Sequence, residues 1–423
     1  AYSRADARRG RASSRTPLTM PREEDDDDVS SVDIDGSEDE ETKEEDEEAM
    51  NDLSNADIVT KYRCAGDIAN SVLTAIIEAI KPGVKAVELC KQGDDLVEEA
   101  TSKVYNVKKG GKKVEKGSAF PTCISVNHCC GHYSPLTSED DVTLVEGDVV
   151  KIDLGVHVDG YIGVVAHTHV CTAAAEALPV TGKKADAMMA AWTASELAHR
   201  MFKEGCKNTE VTDMIAKVAE AYGCTPLEGV LSHQMKKHVI DANKMIVNKV
   251  NEENKPKEVT IEKGDVFSMD IAMSTGEGKP KVGEKRCTVF KRDLEEKYSL
   301  KMKASRAFFS EVNARFPTLP FTLRAGDERA WRMGVVECVK HNLFVEYPVL
   351  YEKDNEFVAQ VKFTVALLPS GNVARTTSSP PPVANSEKSL TDEALVALLA
   401  TEVAKKKKKN NKKKKAGGGE GGD

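Results

Sequence analysis

Two aspartates, Asp153 and Asp270, close two copies of one pattern. Val142-Thr-Leu-Val-Glu-Gly-Asp-Val-Val-Lys-Ile-Asp153 aligns without a gap on Val259-Thr-Ile-Glu-Lys-Gly-Asp-Val-Phe-Ser-Met-Asp270, with Gly-Asp recurring at 147/148 and 264/265. Each copy reads as a Gly-Asp turn entering an apolar strand that ends in a carboxylate. Two such units predict a pseudo-two-fold α/β body whose strand-end carboxylates converge on the axis. A second chemistry is carried by lysine and arginine. Three segments are basic: 103–116 (Lys103, Lys108, Lys109, Lys112, Lys113, Lys116), 279–306, and the tail that opens with Lys405, Lys406, Lys407, Lys408 and Lys409. Neutralising phosphates with such clusters releases counterions, which gives affinity with little sequence readout and a steep salt dependence. Gly110-Gly111 between lysine pairs lets the first of these loops adapt to the shape of a structured RNA.

The elements that must position these groups are legible in the periodicity. Val59, Tyr62, Ala65, Ala69, Val72, Ile76 and Ile80 have helical spacing, stopped by Pro82-Gly83. A second helix is expected over 84–104, and amphipathic patterns return at 184–203 and 209–222, ended by Gly205 and Gly223. Residues 279–306 interrupt the second unit. They hold ten Lys/Arg, among them Lys285, Arg286, Lys291, Arg292, Lys301, Lys303 and Arg306, against four acids, net +6. Phe308, Phe309, Val312 and Phe316 then predict a helix with one apolar face, so the basic helical insert extends over about 279–345. A strand over 357–368 closes the body. Ser378-Ser-Pro-Pro-Pro382 reads as a stiff extended linker inside 371–390. Thr391 or Asp392 caps a last helix bearing Leu395, Leu398 and Leu399, an LxxLL pattern found on helices that dock into partner grooves.

Charge divides the chain further. Of 423 residues, 60 are Lys or Arg and 69 Asp or Glu, a formal −9. Between Glu23 and Glu48 stand 17 acids against Lys43 alone, while residues 1–22 are net +5 and the tail from Lys405 is net +7. Blocks of like charge repel themselves and have no apolar face to bury. The expected organisation is therefore a disordered 1–54, a body over 55–370, the linker, and 391–423 as a short helix with a disordered Lys-rich tail. Met20-Pro21-Arg22 reads as the natural start, with 1–19 as upstream translation. The ten cysteines form no CxxC pair, so reduced thiols are expected rather than a disulfide framework or a zinc ribbon. No stretch approaches the ~18 uncharged apolar residues of a membrane span, so no membrane partner is expected.

Asn127-His-Cys-Cys-Gly-His132-Tyr-Ser-Pro135, Lys151-Ile-Asp153-Leu-Gly155, Ser232-His233, Met269-Asp270 with Ser274-Thr-Gly276, and Ala359-Gln360-Val-Lys362-Phe-Thr364 resemble, in the same order, the type-two methionine aminopeptidases. The resemblance implies the pita-bread fold, in which two aspartates, a histidine and two glutamates hold two divalent metals and a further histidine assists catalysis. It places the catalytic histidine on His132, the first aspartate on Asp153, the ligand histidine on His233 and the first glutamate on Asp270, one methylene short. The second aspartate falls on Val164 and the last glutamate on Lys362. Val164 has no donor atom, and Lys362 puts an ammonium where a bridging anion is required. At an effective dielectric of ~20, a unit pair at 4 Å is worth roughly 4 kcal/mol, and more against a dication. The expected outcome is no metal, no cofactor and no aminopeptidase activity, with a Lys362–carboxylate pair as the pocket's charge balance.

Longer stretches narrow the resemblance. Asp67-Ile-Ala-Asn70, Gly117-Ser-Ala-Phe-Pro-Thr122, Lys151 to Gly160, Ser232-His-Gln234, Leu300-Lys-Met-Lys303, Ser305-Arg-Ala-Phe-Phe-Ser-Glu-Val312 and Met333-Gly-Val-Val-Glu-Cys338 look like the proliferation-associated, ErbB-3-binding protein family. This resemblance implies an aminopeptidase-like protein without the activity, binding RNA and the large ribosomal subunit near the nascent-chain exit. It also implies roles in translation, ribosome biogenesis and growth control, in cytoplasm and nucleus or nucleolus. The polyacidic arm departs from that family's pattern. Two other readings stay open: a residual hydrolase, single-metal or metal-free through His132 and His233, and a nuclear transcriptional or DNA-binding adaptor that uses the tail and the LxxLL helix.

Overall fold

The computed structural model describes residues 49–106, 113–139, 142–174, 178–251 and 256–402. The polyacidic arm, Lys108, Lys109, Lys112 and the lysine tail from Lys405 lie outside the described residues. In chain order the helices are α1 (Ala56–Ala79), α2 (Ala86–Ser102), α3 (Gly182–Met201), α4 (Asn208–Ala221), α5 (Lys303–Arg315), α6 (Glu328–Lys340) and α7 (Glu393–Leu399). The principal strands are β1 (Lys116–Val126), β2 (Val149–Val158), β3 (Tyr161–Val170), β4 (Leu231–Gln234), β5 (Met245–Val247), β6 (Val266–Ser274) and β7 (Val358–Leu367).

Both Gly-Asp turns are built alike. Gly147 and Gly264 sit in left-handed backbone, with φ of 84° and 94°, where a Cβ is disfavoured by sterics. The aspartate that follows locks each turn: Asp148 Oδ2 accepts from Val145 N at 2.9 Å, and Asp265 Oδ2 from Glu262 N at 2.8 Å. Each turn launches a strand, β2 or β6, that pairs with a returning strand, β3 or β7. The helix entries repeat as well, Glu88 accepting from Lys85 N at 3.2 Å and Glu210 from Lys207 N at 3.3 Å.

These units form one antiparallel sheet in the order β1-β2-β3-β7-β6-β4-β5, with the short strands Thr225–Pro226 on β6 and Val373–Arg375 on β7. The two halves meet at a single ladder position, Ala166 opposite Lys362. Strand alternation then assigns the faces. Ile152, Leu154 and Val165 pack against α1 and α2, while Met269, Ile271, Val361 and Phe363 pack against α3 and α4. Asp153, Val164, Asp270 and Lys362 are consequently turned to the opposite face.

A tight turn at Asp159 and Gly160 (φ 54° and 78°) joins β2 to β3, whereas β6 and β7 are joined by residues 275–357. That insert carries a sheet of Val289–Arg292, Phe321–Thr322 and Phe344–Tyr347 beside α5 and α6. Phe290, Phe308, Phe321, Trp331 and Phe344 form its core. The Pro/Ser segment expected as a linker instead lies along the body. Thr377 Oγ1 donates to Val164 O at 2.6 Å, Ser378 N donates to Asn70 Oδ1 at 2.9 Å, and Val180 bridges to Ala384. A proline-rich strand makes no hydrogen bonds within itself, so its carbonyls and remaining N–H groups are available to the body it crosses. All ten cysteines are free thiols. No described helix is long and apolar enough to cross a membrane.

Candidate functional site

Pairing register brings the predicted pocket residues together. Asp153 lies opposite Ala166, Ala166 opposite Lys362, and Lys362 opposite Asp270, so the four form one row across the middle of the sheet. Lys362 Nζ stands 2.6 Å from Asp153 Oδ2 and 3.1 Å from Asp270 Oδ2, with the three side chains only 9–12% exposed. The Phe120 ring, 5.5 Å from Nζ, covers the ammonium. Asp270 Oδ1 accepts from Gln360 Nε2 at 2.8 Å. Asp153 Oδ1 is buried without a hydrogen-bond partner among the described residues.

Burial by itself would lower the Lys362 pKa, but the charges of Asp153 and Asp270 outweigh it and hold the ammonium above the ordinary lysine range. Burial pushes the Asp153 carboxyl up, against the pull of Lys362. The two histidines are neutral. Burial takes His132 down to about 3 and His233 down to about 4. His132, at φ 64°, points Nδ1 at the Pro348 carbonyl 3.1 Å away and packs edge-on against Tyr347. Both ring nitrogens of His233 are buried without a well-formed hydrogen bond among the described residues.

A dinuclear metal centre does not fit these residues. Val164 contributes a buried isopropyl group and no donor atom. The Lys362 ammonium sits between the two remaining carboxylates, Asp153 and Asp270, and engages both. Among the described residues no three His, Cys, Asp or Glu side chains converge as a ligand set. What the row can do chemically is hold one fixed positive charge between two carboxylates.

The expected phosphate contacts divide into two groups. Lys301 and Lys303 are exposed at the start of α5, and Arg306 is exposed one turn on, its guanidinium donating to the Leu300 and Lys301 carbonyls at 3.0 and 2.6 Å. Lys113 is exposed beside β1. The rest carry internal bonds or partial burial. Arg286 pairs with Glu139 at 2.6 Å, and Lys285 is half-buried. Lys291 is bound to Asp241 and Arg292 to Asn313, the latter over the Phe309 ring. Both lie on a paired strand of the insert, and their bonds hold it to the 235–244 loop and to α5. Leu395, Leu398 and Leu399 face inward onto the α3–α4 core, with Asp392 tied to Lys217 at 3.1 Å. A partner groove would have to compete with that packing.

Gln360 and Phe120 stand inside the motifs that carry the resemblance, but neither is assigned a role by it. Gln360 was open to discovery, since it stands two residues before Lys362 on the same strand face. Phe120 comes from β1, whose irregular register, shifting on either side of Phe120, leaves no periodic signal to follow.

Comparison with known proteins adds to this geometry. The model of metallopeptidase family M24 matches residues 60–290. ErbB-3 binding protein 1 of Arabidopsis thaliana is 49% identical over 321 residues, which cover 76% of this chain and 80% of its own length. Proliferation-associated protein A of Dictyostelium discoideum is 44% identical over 334 residues, 79% of this chain and 86% of its own. Among solved structures, a thermophilic Arx1 is similar with a TM-score of 0.78 and 31% identity, over 83% of this chain and 100% of its own.

Proposed function

Since this chain belongs to the ErbB-3-binding, proliferation-associated protein family and has the pita-bread fold of the M24 metallopeptidases, we propose that it is a non-enzymatic RNA- and ribosome-binding factor. In this reading it acts on the large subunit near the nascent-chain exit, in translation, ribosome biogenesis and growth regulation, in the cytoplasm and the nucleus or nucleolus. The observation that carries the reading is the Lys362 ammonium between Asp153 and Asp270. Removing two dications from a carboxylate pocket leaves anions in need of a counter-charge, and a lysine at the axis supplies one permanently, shared between both carboxylates. The fold is then free of hydrolytic demands and serves as a rigid platform.

The binding surface in this proposal is the insert. Lys301, Lys303 and Arg306 lie at the N-terminal end of α5, where they outnumber the Glu337 carboxylate that accepts from Lys301 N and Met302 N at 2.8 and 3.0 Å. An exposed cationic end suits phosphate better than it suits an apolar peptide. Lys113 and the lysines of the 103–116 segment supply a second basic site on the body.

Sedimentation with ribosomes across a salt series tests the proposal. Lys301→Glu, Lys303→Glu and Arg306→Glu together should weaken co-sedimentation and reduce the slope of log affinity against log salt by about 2–3, close to 0.7–0.9 per lost phosphate contact. Unchanged binding would move the contact elsewhere. Stoichiometric metal in the purified protein together with methionine release from short peptides would establish a hydrolase instead. Crosslinked promoter DNA recovered without ribosomal RNA would favour the nuclear adaptor.

A further inference from the structure

The face of the sheet opposite Lys362 holds a cavity of about 370 Å³. It lies at the seam of the two halves, between Ile77 of α1 and Met188 of α3, and the crossing segment with Pro380 and Val383 covers it. Its floor is β3, which presents His167 and His169. The volume falls within the ~300–1,000 Å³ typical of small-molecule sites.

The duplicated architecture supplies an internal control. Ladder pairing makes Ala166 the counterpart of Lys362, so His167 corresponds to Phe363 and His169 to Val365. Phe363 and Val365 are both fully buried in the α3–α4 core, as strand positions under helices normally are. At the equivalent places the first half keeps two imidazoles and a void. His167 is 4% exposed, and neither ring makes a hydrogen bond with any described residue; their centroids lie 6.4 Å apart. His169 is only half-buried, and the nitrogens of both rings are left to the cavity they line, a hydrogen-bonding capacity that the apolar counterparts in the other half lack.

Burial takes His167 down to about 3 and also lowers His169. Each ring is therefore neutral and offers one N–H donor and one bare nitrogen acceptor. None of the described residues lining the cavity is Lys or Arg, and Glu146 stands among them. An anion would enter without a counter-charge and against that carboxylate. A cation would have to shed its hydration among Ile77, Met188 and the prolines. A neutral hydroxyl satisfies both needs, since it donates to the bare nitrogen of one ring and accepts from the N–H of the other.

We propose that this cavity is a binding site for a small, neutral, largely apolar molecule bearing a phenol-type hydroxyl, held between His167 and His169. The site is independent of the proposed RNA contacts and of the Lys362 row.

The test titrates the full chain with 4-methylphenol and with toluene, following the histidine ring signals by NMR. The expected result is saturable binding of 4-methylphenol that shifts the His167 and His169 signals, with toluene binding at least about tenfold more weakly, as the loss of both hydrogen bonds requires. A His167→Phe, His169→Val variant, which copies the second half, should remain folded and lose the preference for the phenol. The proposal fails if 4-methylphenol shows no saturation up to about 5 mM, near the limit of weak millimolar affinity. It also fails if toluene binds the unaltered protein equally well. Both of these readouts need no variant.

Discussion

The two halves of the sheet share a frame and differ in what they mount on it. Turn glycines, locking aspartates and helix entries recur with matching hydrogen bonds, including Gly147 N to Cys171 O and Gly264 N to Leu367 O, each at 2.8 Å. Against that constancy, Ala166 in one half answers Lys362 in the other, and a two-residue turn answers an insert of two helices and a sheet. Backbone turns and the apolar faces under the helices hold the fold, so single positions on the opposite face of each strand are free to change chemistry. Lys362 against Ala166 is a change of that kind.

The sharpest way to break the comparison is to make Lys362 resemble Ala166. Lys362→Met removes the only cation in contact with Asp153 and Asp270 among the described residues, leaving two buried carboxylates facing each other. The expected loss is about 3–5 kcal/mol in urea unfolding at pH 7. Adding Asp153→Asn and Asp270→Asn should recover most of it. Because the folded Lys362 pKa is raised, its contribution is complete below the ordinary lysine value and fades only as pH rises through the folded one. Because the Asp153 carboxyl is also raised, it takes up a proton in the fold before it would in the unfolded chain. The penalty of Lys362→Met should therefore shrink as pH falls from about 7 to 5. A penalty that stays constant over that range would mean the carboxylates are neutralised by something other than Lys362.

The turns sharpen the comparison from the other side. Gly147→Ala and Gly264→Ala should each cost about 1–2 kcal/mol, the penalty of a left-handed residue with a Cβ. A Cβ at 264 would meet nothing within 4 Å, and one at 147 only the Lys184 ammonium at 3.7 Å. The cost is thus purely conformational and should be equal in both halves. Unequal losses by thermal unfolding would show that the two turns are not energetically equivalent.

How much of this could be read from the residues depends on the range of the cause. The repeat and the turn glycines were legible because their spacing is local and duplicated, but the aspartates expected to end the strands do not: β2 and β6 run on past them, so Asp153 and Asp270 sit in mid-strand. Lys362 with Asp153 and Asp270 came from a resemblance, and the register then brought the three into one row. The fate of the basic residues was not legible. Lys291 and Lys301 look alike in sequence, yet one is bound to Asp241 and the other is exposed, a distinction set by which strand pairs with which. The path of residues 376–384 was hidden for the same reason, since its partners, Asn70, Val164 and Val180, are far away along the chain.

The smallest effect concerns α7, which covers the second half and has no counterpart on the first among the described residues. Asp392 caps it by accepting from Ala394 N and Leu395 N, and Leu395, Leu398 and Leu399 pack on the α3–α4 core while remaining partly exposed. A seven-residue helix is too short to persist on its own, so its order depends on that contact. Leu395→Ala with Leu398→Ala removes partly buried area worth about 1–2 kcal/mol of local stability. Amide exchange across Glu393–Leu399 should become unprotected while the global melting temperature falls by no more than about 4 °C, because α7 opens without exposing the sheet. If the whole second half lost protection together, α7 would be part of the core it covers, and the leucines could not be released to any partner without unfolding that half.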